Sequence, residues 1–397
     1  MEQQALTGLR VLDASRVLAG PYCAQMLGDL GAEVIKIESP AGDETRSFGA
    51  AVHDNTAAYY LALNRNKRGI VLDMGKDQAR DVFWTLLESA DVLIENFKAS
   101  TLRSWGIEDP SEIVERFPRL VHCRITGFGD DGPLGEAPGY DAAIQAVSGL
   151  MSINGESDGP ALRMGVPIVD LATGMQATIA VLAAVQERTR SGRGQMCDVA
   201  LFDCAMAVAH PHLSNYLWSG NEPAKSGNSH PNIAPYDAYA TRTCAVYIAI
   251  GNERQLAALW RVLGSPELEN DSRFKTNIDR IRNRTQLNAV LDGLLHELDG
   301  YAVAEALQAA GVPCTPVTSI AQAAGSAHAK HRNMVLRDEH YVGAGFPIKM
   351  RRTPLRLREL PPKHGEHSRE VMLEAGFSED QIKSLEQIGV FGMAEQR

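Results

Sequence analysis

The chain contains few cysteines, and none of them forms a CxxC pair with another. Six cysteines are dispersed through 397 residues, which is typical of small buried side chains in a reducing compartment and not of a disulfide framework. The eleven histidines show no HExxH or Cys/His zinc spacing. We therefore expect a cytoplasmic protein without disulfides and without a catalytic metal.

Long apolar runs and an excess of basic residues are also missing. The longest unbroken apolar run, residues 179–185, is far shorter than the roughly 18 residues of a membrane span. Residues 1–4 lack the basic region and apolar core of a secretory signal. The formal charge of −10 argues against a general nucleic-acid binder. These absences predict a soluble protein that neither spans a membrane nor binds nucleic acid.

Strand and helix patterns alternate through the first two hundred residues. The apolar runs predict strands at residues 9–13, 33–38, 70–73, 92–95, 120–126 and 196–200. The 3.6-residue periodicity predicts helices at residues 21–31, 77–90, 111–117 and 171–190. This alternation is typical of βαβ units, and it predicts an α/β fold with a mostly parallel, doubly wound, Rossmann-like sheet.

The texture of the sequence changes near residues 224–235, where a polar stretch containing Gly and Pro indicates a loop or linker. We predict a large α/β domain in residues 1–222, a smaller α+β domain in 223–330, and a C-terminal segment, 331–397, that returns to the large domain. In the smaller domain a strand pair is expected at residues 235–241 and 245–250. The C-terminal segment should contain strands at 346–350 and 355–357, followed by two short helices.

The first βαβ unit has the outline of a dinucleotide-binding site. Glu38 ends the second strand, where an acid that binds a ribose would lie. However, the preceding turn contains only Gly20, so the GxGxxG pattern that lets the backbone approach a pyrophosphate is missing. An NAD-dependent oxidoreductase is therefore a remote alternative.

Asp170 stands at the start of an almost wholly apolar helix of small residues. Aspartate is a preferred N-cap residue, so a purely structural role is available. A carboxylate at a helix N-terminus also stays ionised and could act as a nucleophile. Spacing alone favours the cap.

The order and spacing of many motifs resemble those of the class III CoA-transferases, the formyl-CoA and carnitine CoA-transferase family. The resemblance covers nearly the whole chain and rests on residues 9–13, 19–21, 28–38, 42–46, 64–68, 95–97, 126–129, 139–141, 165–174, 192–195 and 235–236. It implies an interlocked homodimer that uses coenzyme A thioesters as substrates and binds no permanent cofactor.

The resemblance implies that Asp170 is the nucleophile, which forms a mixed anhydride with the donor acyl group and then an enzyme–CoA thioester. Oxyanion stabilisation would come from the start of the helix at Leu171 and from a loop around Gly251. The implied CoA contacts are Arg16, Val17, Asn66, Lys67, Arg68, Asn96, Phe97, Lys98, Arg103 and Tyr140. The implied substrate contacts are Leu18, Arg46 and Gly251.

Two of these assignments also have a structural reading. Residues 64–68 carry Arg and Lys groups that suit phosphates, although a charge run is usually a solvated face. The motif at residues 42–46 is most similar to that of succinyl-CoA–glutarate enzymes and their dicarboxylate relatives. Arg46 is our candidate to bind the distal carboxylate of a dicarboxylic acid. An ion pair between Arg46 and Asp43 or Glu44 is the equally open structural reading.

The α-methylacyl-CoA racemases are similar to this chain along most of its length and provide the second functional alternative. Racemisation needs acid–base groups on both faces of the α-carbon. Racemases carry a His at the position of Tyr140, and a phenol is a poor base near neutral pH because its pKa is about 10. The sequence therefore favours a CoA-transferase that moves CoA from an acyl-CoA donor, with succinyl-CoA expected, to a dicarboxylic acid.

Overall fold

A computed structural model describes residues 3–135 and 137–391, so Met1, Glu2 and residues 392–397 of the predicted C-terminal segment lie outside the description. The chain divides into two compact units. Unit 1 comprises the residues up to Ser148, Met164–Ala209 and the residues from Lys330 onward. Unit 2 comprises Gly149–Arg163 and His210–Ala329.

The strands are numbered in chain order. They are β1 (Arg10–Ala14), β2 (Glu33–Glu38), β3 (Ala51–His53), β4 (Thr56–Ala57), β5 (Arg68–Val71), β6 (Val92–Glu95), β7 (Val121–Thr126), β8 (Met196–Ala200), β9 (Tyr236–Tyr239), β10 (Val246–Ala249), β11 (Cys314–Pro316), β12 (Val335–Asp338) and β13 (Tyr341–Ala344).

The helices follow the same numbering. They are α1 (Ala19–Asp29), α2 (Ala58–Leu61), α3 (Asp77–Glu88), α4 (Ala99–Ser104), α5 (Glu112–Arg116), α6 (Asp141–Val147), α7 (Ile168–Ser191), α8 (Leu201–Val208), α9 (His212–Ser219), α10 (Glu253–Val262), α11 (Asn277–Arg282), α12 (Arg284–Leu295), α13 (Gly300–Ala309), α14 (Ile320–Gly325), α15 (Ala327–His331), α16 (Ser368–Glu374) and α17 (Glu379–Gln387). Short 3₁₀ turns occur at Glu44–Ser47, Leu150–Ile153 and Pro266–Asn270.

Unit 1 is built on a six-stranded parallel sheet with the strand order β5-β2-β1-β6-β7-β8. Counted along the chain, this is the 3-2-1-4-5-6 order of dinucleotide-binding folds. The order reverses between β1 and β6, so the segments that leave these two strands diverge and open a crevice at their carboxyl ends. The predicted α/β class and the large parallel sheet are confirmed.

Unbroken apolar runs form these strands because both faces of the sheet are covered. Leu12, Ile35, Ile70 and Leu93, from four neighbouring strands, are fully or almost fully buried in one hydrophobic cluster. The apolar face of α3 and the C-terminal helices α16 and α17 supply further members of this cluster. The helices α16 and α17 therefore pack in the same hydrophobic cluster as the strands of the parallel sheet.

The helix α7 is the longest in the described part of the chain, and it is the one helix there that is long and apolar enough to cross a membrane by length and composition. It ends at Gly192, which adopts the left-handed conformation of a C-terminal cap. Near that end, Arg188 is buried and binds the carboxylate of Asp91 and the carbonyl of Arg119. Such buried ionic contacts, together with its packing on α1 and α8, identify α7 as a core helix of unit 1.

Unit 2 is a separate mixed structure. Its three-stranded antiparallel sheet has the order β11-β10-β9, so the predicted strand pair forms as expected. Helices α10, α12 and α13 cover a core that includes Trp260, Leu287 and Leu307. Asn252 caps α10 by accepting a hydrogen bond from the backbone of Gln255.

The structure differs from the sequence-based boundaries in two places. Unit 2 begins at His210 rather than at residue 223, and it also takes in Gly149–Arg163. The strands predicted at 346–350 and 355–357 do not form, and the hairpin of β12 and β13 lies before them. Periodicity over three to five residues cannot separate a strand from an extended loop, which explains the second error.

Candidate active site

Two adjoining cavities lie in unit 1 at the carboxyl ends of the parallel strands. The larger one, about 750 Å³, is lined by the segments that follow β1, β2, β5 and β6. The smaller one, about 250 Å³, contains Asp170 and Tyr140. Arg16, Asn96 and Phe97 line both cavities. Their position at the reversal of strand order is where open α/β sheets bind ligands.

Asp170 lies in the first turn of α7, whereas the capping carboxylate comes from Asp141 at the start of α6. The Oδ2 atom of Asp141 accepts hydrogen bonds from the backbone N–H groups of Val169 at 2.8 Å and Asp170 at 3.1 Å. Its Oδ1 atom accepts a hydrogen bond from the side-chain amide of Gln145. The prediction that Asp170 caps this helix is therefore wrong, because Asp141 occupies that role and leaves the Asp170 carboxylate to the cavity.

The surroundings of Asp170 favour its neutral form. Burial, followed by the negative charge of Asp141, raises the pKa of Asp170 to about 7. Within the described residues no group donates a hydrogen bond to this carboxylate. The expectation that the helix N-terminus keeps Asp170 fully ionised is thus corrected, because Asp141 takes the N–H groups that would have stabilised the charge.

The first turn of α7 has no spare backbone donors for an oxyanion. Besides the two N–H groups bound by Asp141, Ile168 donates to the carbonyl of Val166 at 2.8 Å. Leu171 donates to the carbonyl of Pro167 at 3.1 Å. The predicted contribution of this helix to oxyanion stabilisation is therefore wrong.

Tyr59, on α2, is a neighbour of Asp170 that the sequence did not indicate. Burial, followed by the negative charges of Asp170 and Asp141, raises the pKa of the Tyr59 phenol. The phenol is therefore protonated at neutral pH, although Tyr59 does not line the Asp170 cavity. No motif distinguished it from the adjacent Tyr60, which is fully buried.

Residues 64–68 turn inward and do not line either cavity. The ammonium group of Lys67 is fully buried and binds the carboxylate of Asp13, the carbonyl of Pro21 and the amide of Asn64, all within 2.9 Å. Burial lowers the pKa of Lys67 to about 8. The structure therefore gives this lysine an internal partner instead of a phosphate.

The neighbouring predicted CoA contacts have internal partners too. The Asn66 amide binds the carboxylate of Asp29 at 2.8 Å and accepts a hydrogen bond from the backbone of Arg358 at 2.7 Å. Arg68 pairs with Glu33, Glu370 and Glu374. Residues 66–68 therefore form neither a solvated charged face nor a phosphate site, because their side chains join segments of unit 1.

Arg46 lines the larger cavity but is held by Glu38. Its guanidinium donates two hydrogen bonds to that carboxylate, at 2.7 and 2.8 Å, and others to the Tyr60 hydroxyl and the Pro362 carbonyl. Neither Asp43 nor Glu44 is its hydrogen-bond partner. Arg46 therefore forms an ion pair, as the structural alternative predicted, but the partner is Glu38. Arg46 does not line the Asp170 cavity, and the structure corrects its assignment to the acceptor carboxylate.

The remaining predicted residues separate into those that line the Asp170 cavity and those that do not. The Asp170 cavity is lined by Arg16, Val17, Leu18, Asn96, Phe97, Lys98 and Tyr140. Arg103 lies on α4 outside both linings, and Gly251 belongs to unit 2, so both assignments stay predictions.

Several lining residues of the larger cavity were missed, although one general rule points to them. Ser39–Gly42 follow β2, and Leu72–Gly75 follow β5. Both segments leave the carboxyl ends of parallel strands, where ligands of such sheets bind. Trp105 packs edge-to-face on Phe97 with ring centroids 5.0 Å apart, which adds an aromatic wall. Among the described residues no three His, Cys, Asp or Glu side chains are grouped as a metal site would require.

Comparison with known proteins identifies the chain's family. The profile of CoA-transferase family III matches residues 6–368. A succinate–glutarate CoA-transferase of Agrobacterium fabrum is 38% identical over 381 residues, covering 93% of this chain and 95% of the relative. A succinyl-CoA:mesaconate CoA-transferase of Haloarcula hispanica is 36% identical, covering 94% and 96%.

A solved structure has the same fold. A CAIB/BAIF family protein from Brucella suis superposes with a TM-score of 0.84 at 39% identity, covering 94% of this chain and all of that one. The sequence match is nearly complete, and the cavities lie at the strand reversal of a shared fold. The chain therefore belongs to CoA-transferase family III.

Proposed function

We propose that this CoA-transferase moves CoA from succinyl-CoA to a dicarboxylic acid, with Asp170 as the nucleophile. The observation that carries the proposal is that the Asp170 cavity and the larger cavity share lining residues. A CoA thioester lying across them would extend from a nucleotide site to a buried carboxylate. The Agrobacterium and Haloarcula relatives, both named for succinate or succinyl-CoA and a dicarboxylate, support the choice of substrates.

The reaction begins when the ionised Asp170 attacks the thioester carbonyl and expels the CoA thiolate, leaving a mixed anhydride. The thiolate then attacks the Asp170 carbonyl carbon, which releases succinate and forms an enzyme–CoA thioester. The acceptor carboxylate attacks this thioester and expels the thiolate once more. The thiolate finally attacks the acceptor carbonyl, which releases acyl-CoA and regenerates the Asp170 carboxylate. The covalent intermediates retain the thioester's reactivity, which hydrolysis would dissipate.

The larger cavity suits the nucleotide end of CoA. Phe97 and Trp105 offer aromatic faces, while Leu72 and Met74 add apolar surface. Arg16 lines both cavities and suits the CoA phosphates at the boundary. The volume of about 750 Å³ lies within the range of small-molecule sites.

The cations of the Asp170 cavity support a dianionic acceptor. Arg124 is almost fully buried there, and it is already bound to Glu95 and Asp130. Lys98 is exposed and lines the same cavity, whereas Arg16 is paired with Glu44 at 2.6 Å, so we assign the distal carboxylate of the acceptor to Lys98.

A trapping experiment tests the nucleophile. Asp170→Asn and Asp170→Ala should abolish CoA transfer, while Asp203→Asn, a change on α8 outside both cavity linings, should retain it. Incubation of the wild type with succinyl-CoA should attach CoA to the peptide that contains Asp170, in a form that hydroxylamine removes. Transfer that persists in Asp170→Ala, or an adduct on another peptide, would overturn the mechanism.

The same samples distinguish a transferase from a racemase. Tyr140 lines the cavity at the position where the racemases carry a His. A chiral 2-methylacyl-CoA should therefore show no enzyme-dependent uptake of deuterium at its α-carbon. Rapid uptake in the absence of a carboxylic acid would move the assignment to the racemases.

We also propose that the protein acts as a homodimer. The helix α7 carries apolar side chains on an uncovered face, among them Ile179 at 59% exposure and Met175. Val147 and Val208, on the adjacent helices α6 and α8, are exposed as well. A second copy of the chain would cover them, which agrees with the interlocked dimer that the family resemblance implies. A cytoplasmic location stays a prediction.

A further inference from the structure

The loop of residues 15–18 after β1, here called the β1 loop, borders both cavities. Arg16 lines the two of them, and Leu18 lines the cavity of Asp170. Helix α1 begins immediately afterwards at Ala19. The conformation of this loop therefore decides which groups face the proposed CoA site.

Val17 adopts a backbone conformation that valine rarely occupies. Its φ is +70°, in the left-handed region. Its branched side chain is crowded against the backbone there, which makes the conformation unfavourable. Such strained residues persist only where their surroundings fix them, and they are concentrated at functional sites.

Two side chains from other segments hold the loop just before this strained position and at its N–H group. The amide of Asn96 binds Arg16 twice: Oδ1 accepts from its N–H at 3.1 Å, and Nδ2 donates to its carbonyl at 3.0 Å. The Oδ2 atom of Asp43 accepts a hydrogen bond from the N–H of Val17 at 3.3 Å. Both polar atoms of the Asn96 amide are thus engaged by the loop. The direct CoA contact that the resemblance implied for Asn96 stays a prediction, because the residue also lines both cavities.

A buried ionic network anchors the beginning of the loop. The carboxylate of Asp13 accepts a hydrogen bond from the N–H of Ser15 at 3.1 Å, and Lys36 donates to the Ser15 carbonyl at 3.0 Å. Lys36 also pairs with Asp43 at 3.0 Å, while Lys67 pairs with Asp13 at 2.8 Å. The motifs at residues 42–46 and 64–68 thus converge on the backbone of one loop.

We propose that Asp43 and Asn96 are positioning residues that hold Val17 in its left-handed conformation. The loop held in this way presents Arg16 to both cavities and Leu18 to the Asp170 cavity. This inference rests on the proposed function, because it assigns the loop to the binding of a CoA thioester.

The test is a double-mutant cycle measured as the dissociation constant of CoA by calorimetry, with no turnover required. Asn96→Ala should weaken CoA binding about tenfold, because the loop relaxes to a favoured conformation. When Val17→Gly is added to Asn96→Ala, CoA should bind at least roughly threefold more tightly than to Asn96→Ala alone, because glycine occupies positive φ without strain. In the wild-type background Val17→Gly should not increase CoA affinity, because the loop is already held and glycine adds backbone freedom.

Val17→Ala is the matched control, because alanine removes the branch but retains a Cβ and its penalty at positive φ. The combination of Asn96→Ala with Val17→Ala should not recover CoA affinity. Asp43→Asn starts a second double-mutant cycle in which Asn96 is unchanged. This substitution should also weaken CoA binding, and Val17→Gly should restore it in the same way. Thermal denaturation of each variant checks that the fold is intact.

Equal rescue by alanine and glycine would overturn the proposal, as would unchanged CoA affinity in Asn96→Ala or strictly additive effects in both cycles. Each of these results would leave the transferase function standing, because the wild type would still bind CoA. A folded wild-type protein that binds neither CoA nor succinyl-CoA would instead refute the proposed function and this inference with it.

Discussion

The carboxyl groups of Asp170 and Asp141 form a pair with unequal duties. Asp141 accepts two backbone N–H bonds and fixes the first turn of α7. Burial of the site, followed by the negative charge of Asp141, raises the pKa of Asp170 to about 7. The residue proposed as the nucleophile is therefore partly protonated at neutral pH, and the ionised fraction will limit the rate in acid.

The pH dependence of turnover should report this pair. Because only the ionised Asp170 attacks the thioester, kcat/KM should fall about tenfold per pH unit below an apparent pKa near 7. Asp141→Asn removes the neighbouring negative charge, so the acidic limb should move to lower pH by roughly one unit. Steady-state rates across pH 5–9 provide the measurement, with Asp141→Ala as the variant that loses the cap in addition.

An acidic limb that is unchanged in Asp141→Asn would contradict the electrostatic role of Asp141. The two variants separate charge from capping, because the alanine variant should also lose about 1 kcal/mol of stability with the cap.

Arg46 should affect stability more than acceptor choice. Its loss leaves the buried carboxylate of Glu38 without its bidentate partner, which typically costs about 3–5 kcal/mol. We expect Arg46→Ala to lower the free energy of unfolding by that order. The ratio of kcat/KM for dicarboxylates to that for monocarboxylates of equal length should stay unchanged. Denaturant unfolding and an acceptor panel measure the two quantities.

Glu38→Gln combined with Arg46→Gln supplies the control, because it removes both charges together and should cost less than Arg46→Ala. A selective loss of dicarboxylate turnover in Arg46→Ala would return the distal carboxylate to this residue.

The contact between α1 and α7 fixes where Asp170 lies in unit 1. A Cβ atom on Gly174 would lie 2.7 Å from the carbonyl oxygen of Ala19 and 3.0 Å from a ring carbon of Tyr22. Gly174 is one turn after Asp170, so the absence of a side chain there lets the two helices approach at the level of the site. The small residues in the motif around Asp170 thus have a packing reason as well as a chemical one.

Gly174→Ala should therefore separate the helices and displace Asp170. We expect a loss of about 1–3 kcal/mol in unfolding free energy from overpacking, together with a lower kcat. Gly293→Ala, on α12, is the matched control because no atom lies within 4 Å of the added Cβ. It should stabilise the protein by about 0.5–1 kcal/mol. Equal effects of the two substitutions on thermal denaturation would contradict the packing argument.

The uncovered apolar face of α7 bears on the oligomeric state of the protein. Ile179→Asp places a charge on that face, and we expect it to convert a dimer into a monomer in light scattering coupled to gel filtration. Ile348→Asp, at an exposed position of unit 1 outside α7, serves as the control and should leave the mass unchanged. A wild type that is monomeric at micromolar concentration would contradict the dimer proposal directly.

The sequence alone predicted the parallel sheet, because buried parallel strands occur in a sequence as short apolar runs separated by segments with helical periodicity. It also indicated Asp170 as a candidate site residue, because this acidic side chain stands at the start of an almost wholly apolar helix of small residues. The motif order indicated the family, which the match over residues 6–368 then confirmed.

Only the tertiary structure decided which way the charged motifs face. Lys67 and Arg46 are cations of the kind that bind anions, yet each is paired with an internal carboxylate: Lys67 with Asp13, 54 residues away, and Arg46 with Glu38 at the end of β2. The cap of α7 comes from Asp141, 29 residues before Asp170, and the charge of the same carboxylate adds to burial in raising the pKa of Asp170. Helix and strand patterns are local properties of the chain, whereas the partner of a buried charge depends on which segments folding brings together.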